Sequence, residues 1–156
     1  MDNVIHAAID SLGTSPDSYG PTLDTARDTA AVETVGTALA EELDRYRPEA
    51  LAVWNSGDEM VLAHIVAREL HADLLYASDV AGILAFGRRP RPRQRVAMLA
   101  TSWTSRRFAS LHAFAARTHD LDVVAAAAVI DTPALHTDDA LPTIHLTAAT
   151  RQEDAS

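Results

Sequence analysis

The chain has 156 residues, 47% of them hydrophobic, no cysteine and a formal net charge of −9. That length suits one domain with a sizeable core rather than two. The missing cysteine excludes disulfides, thiolate metal sites and cysteine nucleophiles. The negative charge opposes general binding to nucleic acid or to an anionic membrane, whose phosphates it would repel.

All 13 of the Lys-plus-Arg residues are arginine, so Schiff-base chemistry and a lysine phosphate clamp are also excluded. No apolar run approaches bilayer-crossing length. The start, MDNVIHAAIDSLG, has no basic residues before its apolar positions, unlike a secretory signal. The expectation is a soluble, cytoplasmic protein.

Val4, Ile5, Ala8, Ile9 and Leu12 recur at helical spacing and predict a helix over residues 3–12. Residues 13–24, GTSPDSYGPTLD, are dense in turn formers and predict an irregular connection. A longer helix is predicted over 29–45, its buried stripe marked by Val32, Val35, Leu39 and Leu43, before Pro48. The apolar run Ala50–Trp54 predicts a buried parallel strand. After it, 55–58 (NSGD) predicts a turn, with Asp58 capping a helix that runs to about Leu70.

Residues 73–77 predict the next strand, Ile83–Phe86 a short edge strand, and 87–94 (GRRPRPRQ) an exposed loop. Residues 96–100 predict a strand, 101–105 a polar turn, 106–118 a helix, 123–130 a buried strand and 142–146 a last short strand. This alternation predicts an α/β domain of three layers: a mainly parallel central sheet with helices on both faces. It spans residues 1–150, with 151–156 as a frayed tail.

The stretch 95–110, RVAMLATSWTSRRFAS, carries the chemistry. A strand, a polar turn and a helix start place free backbone N–H groups and the helix dipole at the mouth of the sheet. Thr101, Ser102, Thr104 and Ser105, with Arg106 or Arg107, could complete a site for one phosphate or carboxylate. Trp103 could stack on a flat ring. Crevices at this position are the usual ligand sites of open α/β sheets. The alternative is that Ser102, Thr104 and Ser105 cap the helix and Trp103 fills a hood or dimer contact.

The turn Asn55, Ser56 and Gly57 follows the Ala50–Trp54 strand. Asn55 is a candidate to read a ligand amide or hydroxyl. Asp58 and Glu59 could act as acid and base, or could simply favour the first turn of a helix.

The histidines give no convincing metal set. His64 with His71, and His112 with His119, are seven residues apart, too distant to share one ion without other ligands. His136 with Asp138 and Asp139 could catch one, but no native metal is expected. Arg88, Arg89, Arg91, Arg93 and Arg95 form a basic loop that could dock an acidic protein partner. It has no interleaved aromatics, so nucleic acid is not the expected partner.

In order along the chain, these features resemble a type I phosphoribosyltransferase, most closely an orotate phosphoribosyltransferase. Residues 13–19 (GTSPDSY) resemble the family's G-x-x-S-x-x-Y motif, and 28–43 its following helix. The Ala50–Trp54 strand and the 55–59 turn lie where the family has its pyrophosphate loop. Residues 95–110 lie on the phosphoribosyl-diphosphate motif, 128–131 on the last core strand, and 141–144 on a small closing hood segment.

The resemblance implies a transferase working on phosphoribosyl diphosphate with magnesium, as a homodimer, with the arginine region as a mobile lid. The motif here is degenerate. The two adjacent acids that hold the ribose hydroxyls and help place magnesium are Ala100 and Thr101, which cannot replace carboxylates toward a hard cation. The phosphate-wrapping glycines are Ser105, Arg106 and Arg107. Asp58 and Glu59 would oppose an anionic leaving group, the family's basic pair after the second strand is Ser78 and Asp79, and the lid lysine is absent.

The expectation is a phosphoribosyltransferase-like protein that has lost transfer, needs no magnesium or other cofactor, and binds a small anionic or nucleotide-like ligand or a protein partner. Three alternatives remain open. They are an enzyme of altered chemistry using Asp58 and Glu59, an active orotate-type transferase, and a structural or regulatory dimer subunit.

Overall fold

The computed structural model describes residues 2–15 and 22–148. Most of the G-x-x-S-x-x-Y motif and the whole predicted tail fall outside these residues. Helix α1 (Asp2–Leu12) leads through Gly13 into β1 (Thr14–Ser15), which pairs antiparallel with β2 (Thr22–Leu23). The irregular connection predicted for 13–24 therefore contains a short ladder.

Helix α2 (Thr29–Leu43) starts at Asp28, whose carboxylate accepts the Ala31 N–H at 3.0 Å. This satisfies one of the donors that a helix start leaves open. It passes into a 3-10 turn (Asp44–Tyr46) and stops at Arg47, which has φ 52° and precedes Pro48. Strand β3 (Ala50–Trp54) is buried at every position.

Helix α3 (Gly57–Leu70) begins two residues earlier than the sequence suggests, with Ser56 rather than Asp58 at its cap. Asp58 is already helical, and its side chain is engaged elsewhere. Helices α2 and α3 meet at Gly36, where an added Cβ would lie 2.5 Å from Ile65 Cγ2. Only a residue without a side chain permits that approach.

Strand β4 (Asp73–Val80) turns through Ala81 and Gly82, both at positive φ, into β5 (Ile83–Phe86). Two central residues at positive φ match the right-handed twist of a hairpin. Strand β6 (Arg95–Ser102) is two residues longer than predicted at its C-terminal end, leaving Trp103 and Thr104 as the link to α4 (Ser105–Ala113). The predicted helix over 106–118 divides: α4 ends at Ala113 and a wider π turn covers Phe114–Thr118. Strand β7 (Asp122–Asp131), a 3-10 turn (Pro133–His136) and β8 (Thr143–Ala148) complete the described chain.

The six-stranded sheet has the order β5-β4-β3-β6-β7-β8, parallel except for the β4–β5 hairpin. Residues 141–144, where the hood was expected, lead into β8, which forms the far edge of the sheet. Helices α1, α2 and α3 cover one face over Leu51, Val53, Leu99 and Ala127. Helix α4 and the Pro133–His136 turn cover the other over Trp54, Met98, Ala100 and Ala128. Alternate residues of each central strand thus enter different cores, which is why these strands read as unbroken apolar runs. The three-layer α/β expectation holds.

Candidate functional site

The C-terminal ends of the parallel strands form one edge of the sheet, and most of the candidate residues lie along it. Thr101 is the penultimate residue of β6 and is fully buried. Its N–H donates to Glu59 Oε2 and its hydroxyl donates to Glu59 Oε1, both at 2.7 Å. Glu59 itself is only 1% exposed. A carboxylate that takes two donors from one residue in this way fixes the first turn of α3 against the end of β6.

The Leu23 N–H approaches Thr101 Oγ1 from above, at 3.4 Å. Asp58 is turned toward the same N-terminal segment. It accepts the Thr22 hydroxyl at 2.8 Å, and the Thr25 N–H and hydroxyl at 3.1 Å each. Thr22, Leu23 and Thr25 are all buried. Asp58 and Glu59 therefore bind neighbouring chain segments together at the β3–β6 mouth.

Ala100 lies in the core on the α4 face, and Trp103 is 2% exposed. The Trp103 indole N–H donates to the Ala127 carbonyl at 3.0 Å, and its ring meets Phe108 edge to face at 5.2 Å. Such contacts commit the indole to the interior. Thr104 caps α4 by accepting the Arg107 N–H at 3.3 Å. Ser102 is partly buried at the strand end, while Ser105 and Arg106 are exposed on the first turn of α4. The Arg107 side chain turns inward, its guanidinium 5.6 Å from the Trp54 ring centroid, and the Trp54 N–H donates to the Arg107 carbonyl.

On the other side of the mouth, Asn55 Nδ2 donates to Ser78 Oγ at 2.9 Å. Ser56 Oγ is buried with no hydrogen-bond partner, and Gly57 is exposed with open space around its Cα. Asn55, Gly57, Ser105 and Arg106 are therefore exposed and Ser102 is partly buried, all just beyond or at the ends of the adjacent strands β3 and β6, while the Ser56 hydroxyl is buried. Thr101, Trp103 and Glu59 are drawn inward.

The order and direction of these strands have counterparts among solved structures. The fold is similar to UMP synthase from Leishmania donovani, with a TM-score of 0.71 at 16% identity over 99% of this chain and 39% of that one. It is also similar to adenine phosphoribosyltransferase from Rhodothermus marinus, with a TM-score of 0.74 at 12% identity over 95% of this chain and 99% of that one. Orotate phosphoribosyltransferase from Aeropyrum pernix gives 0.68 at 16%, covering 99% and 98%. The chain has the type I phosphoribosyltransferase fold. At these identities the likeness establishes the fold alone. No protein-family model matches the sequence, and no curated protein matches it.

In this phosphoribosyltransferase-like frame the arginine loop lies at the opposite edge. Glu49 and Asp122 donate their N–H groups to the Arg95 and Gln94 carbonyls, at the N-terminal ends of β3, β6 and β7. Gln94 is buried, and its amide group reaches the Arg91 N–H and Asp73. Arg91 lies 3.8 Å from Glu49, and Arg95 donates to the Tyr46 carbonyl. The loop is thus anchored away from the β3–β6 mouth.

His71 caps α3 at positive φ instead of extending its face, and His119 lies beyond the π turn against Phe86 and Phe114. An open groove of about 660 Å³ runs along the α3–β4 flank past His64, Leu74 and Tyr76, away from the mouth. Burial there pushes the Tyr76 hydroxyl pKa above its ordinary value.

Sequence reasoning missed the roles of Thr22 and Thr25 and the burial of Glu59. Thr22 and Thr25 lie in a turn-rich stretch that carries no periodic signal. Glu59 was legible in principle: it stands three and four residues before Leu62 and Ala63, on the stripe that α3 buries.

Proposed function

We propose that the protein has lost phosphoribosyl transfer and retains a binding role on the transferase fold, for a small anionic or nucleotide-like ligand at the β3–β6 mouth or for a protein partner. The observation that supports this most directly is the state of the β6 end. Ala100 contributes a methyl group to the core, and the Thr101 hydroxyl is spent on buried Glu59. Neither position offers the mouth an oxygen that could hold a ribose diol or a magnesium ion. Asp58, on the turn where a pyrophosphate would lie, adds negative charge and is occupied with Thr22 and Thr25.

What remains suits one anion rather than a diphosphate. The start of α4 supplies first-turn N–H groups and a favourable dipole end. Ser102, Ser105 and Arg106 stand beside it, and Asn55 and Gly57 are exposed at the end of the neighbouring strand β3. Asp58 and Glu59 serve as structural clamps in this reading, and no cofactor is required. A homodimer in the cytoplasm, with the arginine loop as a surface for an acidic partner, belongs to the same reading.

The test is calorimetric titration with phosphoribosyl diphosphate, with and without magnesium. It is paired with amide-resolved NMR during addition of inorganic phosphate or a nucleoside monophosphate. Weak, magnesium-independent binding that shifts the amides of residues 102–107 and is reduced by Arg106→Ala is the expected result. Tight, magnesium-dependent binding with pyrophosphate release in the presence of a nucleobase would overturn the proposal.

A further inference from the structure

A second polar cluster lies one strand away on the same edge and plays no part in the proposal above. Asp131 is the last residue of β7, His136 ends the following 3-10 turn, and His145 is the third residue of β8. Asp131 Oδ1 lies 2.5 Å from His136 Nε2, and Asp131 Oδ2 lies 3.8 Å from His145 Nε2. One ligand atom from each of the three falls within 4.8 Å of the others. The two imidazole rings stand nearly perpendicular, with centroids 6.0 Å apart.

We infer that Asp131, His136 and His145 form a binding site for a divalent first-row transition ion of the zinc class. Two imidazoles and one carboxylate are a donor set that such ions accept and that magnesium and calcium do not favour. At bond lengths of about 2.0–2.2 Å, tetrahedral ligand atoms stand roughly 3.3 Å apart. The Asp131–His136 contact has to open, and the wider separations among the three ligand atoms, up to 4.8 Å, have to close by as much as about 1.5 Å. Side-chain rotation suffices for that, because all three groups are only partly buried.

The backbone beneath them is held firmly. Ala134 and Leu135 of the 3-10 turn are buried, the Thr132 hydroxyl donates to the Trp103 carbonyl at 2.8 Å, and β8 is paired with β7 beside Ala128 and His145. Three protein ligands leave the remaining coordination position to water or to a small anion. This differs from the sequence-based pairing of His136 with Asp138 and Asp139. The Asp138 carboxylate instead accepts the Ala140 N–H and closes its own turn.

The experiment uses the full chain without an affinity tag, since five other histidines provide background. Zinc is titrated against a competing chromophoric chelator, and cobalt(II) reports geometry through its visible absorption. One equivalent per chain is expected, with a four- or five-coordinate cobalt spectrum. Asp131→Asn, His136→Ala and His145→Ala should each weaken binding at least as much as the roughly tenfold to hundredfold loss typical of removing an outer-shell partner. His64→Ala and His119→Ala should leave it unchanged. On the wild-type chain, zinc should shift the side-chain nitrogens of His136 and His145 selectively, which covers any variant that folds poorly. Equal affinity across all five variants, or magnesium displacing zinc at similar concentration, would overturn the assignment.

Discussion

The two corners of the sheet edge use their polar groups in opposite ways. At the β3–β6 mouth, carboxylates and hydroxyls point inward and join separate segments: Glu59 to Thr101, and Asp58 to Thr22 and Thr25. At the β7–β8 corner, Asp131, His136 and His145 converge at the surface, at least a quarter exposed each. Burial makes the first set a structural fastening, because a buried polar group that loses its partner is costly. Exposure leaves the second set available, because water can replace any lost contact. Residue type alone does not separate a site from a fastening; desolvation does.

The largest effect expected from this contrast is at Glu59. Glu59→Ala strands the Thr101 N–H in a dry interior and removes two charge-assisted hydrogen bonds, a cost of about 3 kcal/mol or more. Urea unfolding should read it as a lowered midpoint with an unchanged slope. Thr101→Val removes only the hydroxyl and should cost less. A loss at Glu59 within about 0.5 kcal/mol, the range of ordinary surface substitutions, would break the comparison and reopen the acid–base reading.

Asp58→Ala ranks second. The Thr22 hydroxyl and the Thr25 N–H lose their acceptor, but Asp58 is partly exposed and water compensates in part, giving about 1–2 kcal/mol. The Thr25 amide should also exchange its hydrogen faster while the amides of β3 and β6 keep their protection. Uniformly faster exchange would mean that the latch is not local. Substitution at His145 should lower zinc affinity with little change in the unfolding midpoint, which is the opposite pattern.

How much of this was readable beforehand depended on range. Strands β3, β6 and β7 announced themselves because the middle of each is buried on both faces and hence an apolar run. Helices α2 and α3 were legible from their stripes, and the family resemblance pointed to the fold, but the strand order was not read from the sequence. The convergence of Asp131 with His145 was not legible. It depends on β8 returning parallel to β7 in a register that sets His145 opposite Ala128, and no local pattern encodes a register. The same holds for Asp58: its first-turn position suggested a cap, whereas long-range pairing with Thr25 decided its orientation.

The smallest effect concerns acid, and it sharpens the contrast by involving neither corner. Asp28 accepts the Ser11 hydroxyl at 2.6 Å and the Ala31 N–H at 3.0 Å, which hold its carboxyl pKa below the ordinary 3.8. Arg68, donating to Glu33 at 2.8 and 3.2 Å, lowers the Glu33 pKa from 4.5. In each case the folded state binds its proton less readily than the unfolded chain. The contribution to stability is therefore complete above the unfolded values and is lost as pH falls through the lowered folded ones. Both carboxylates are at the surface, so solvent screens the gain. Unfolding midpoints measured from pH 6 downward should hold level and then decline below about pH 4. Asp28→Asn preserves an acceptor for the helix cap but cannot titrate, so its decline should be shallower, while His145→Ala should follow the wild-type acid limb. If the His145 variant also flattened that limb, the β7–β8 corner would be fastening the fold after all.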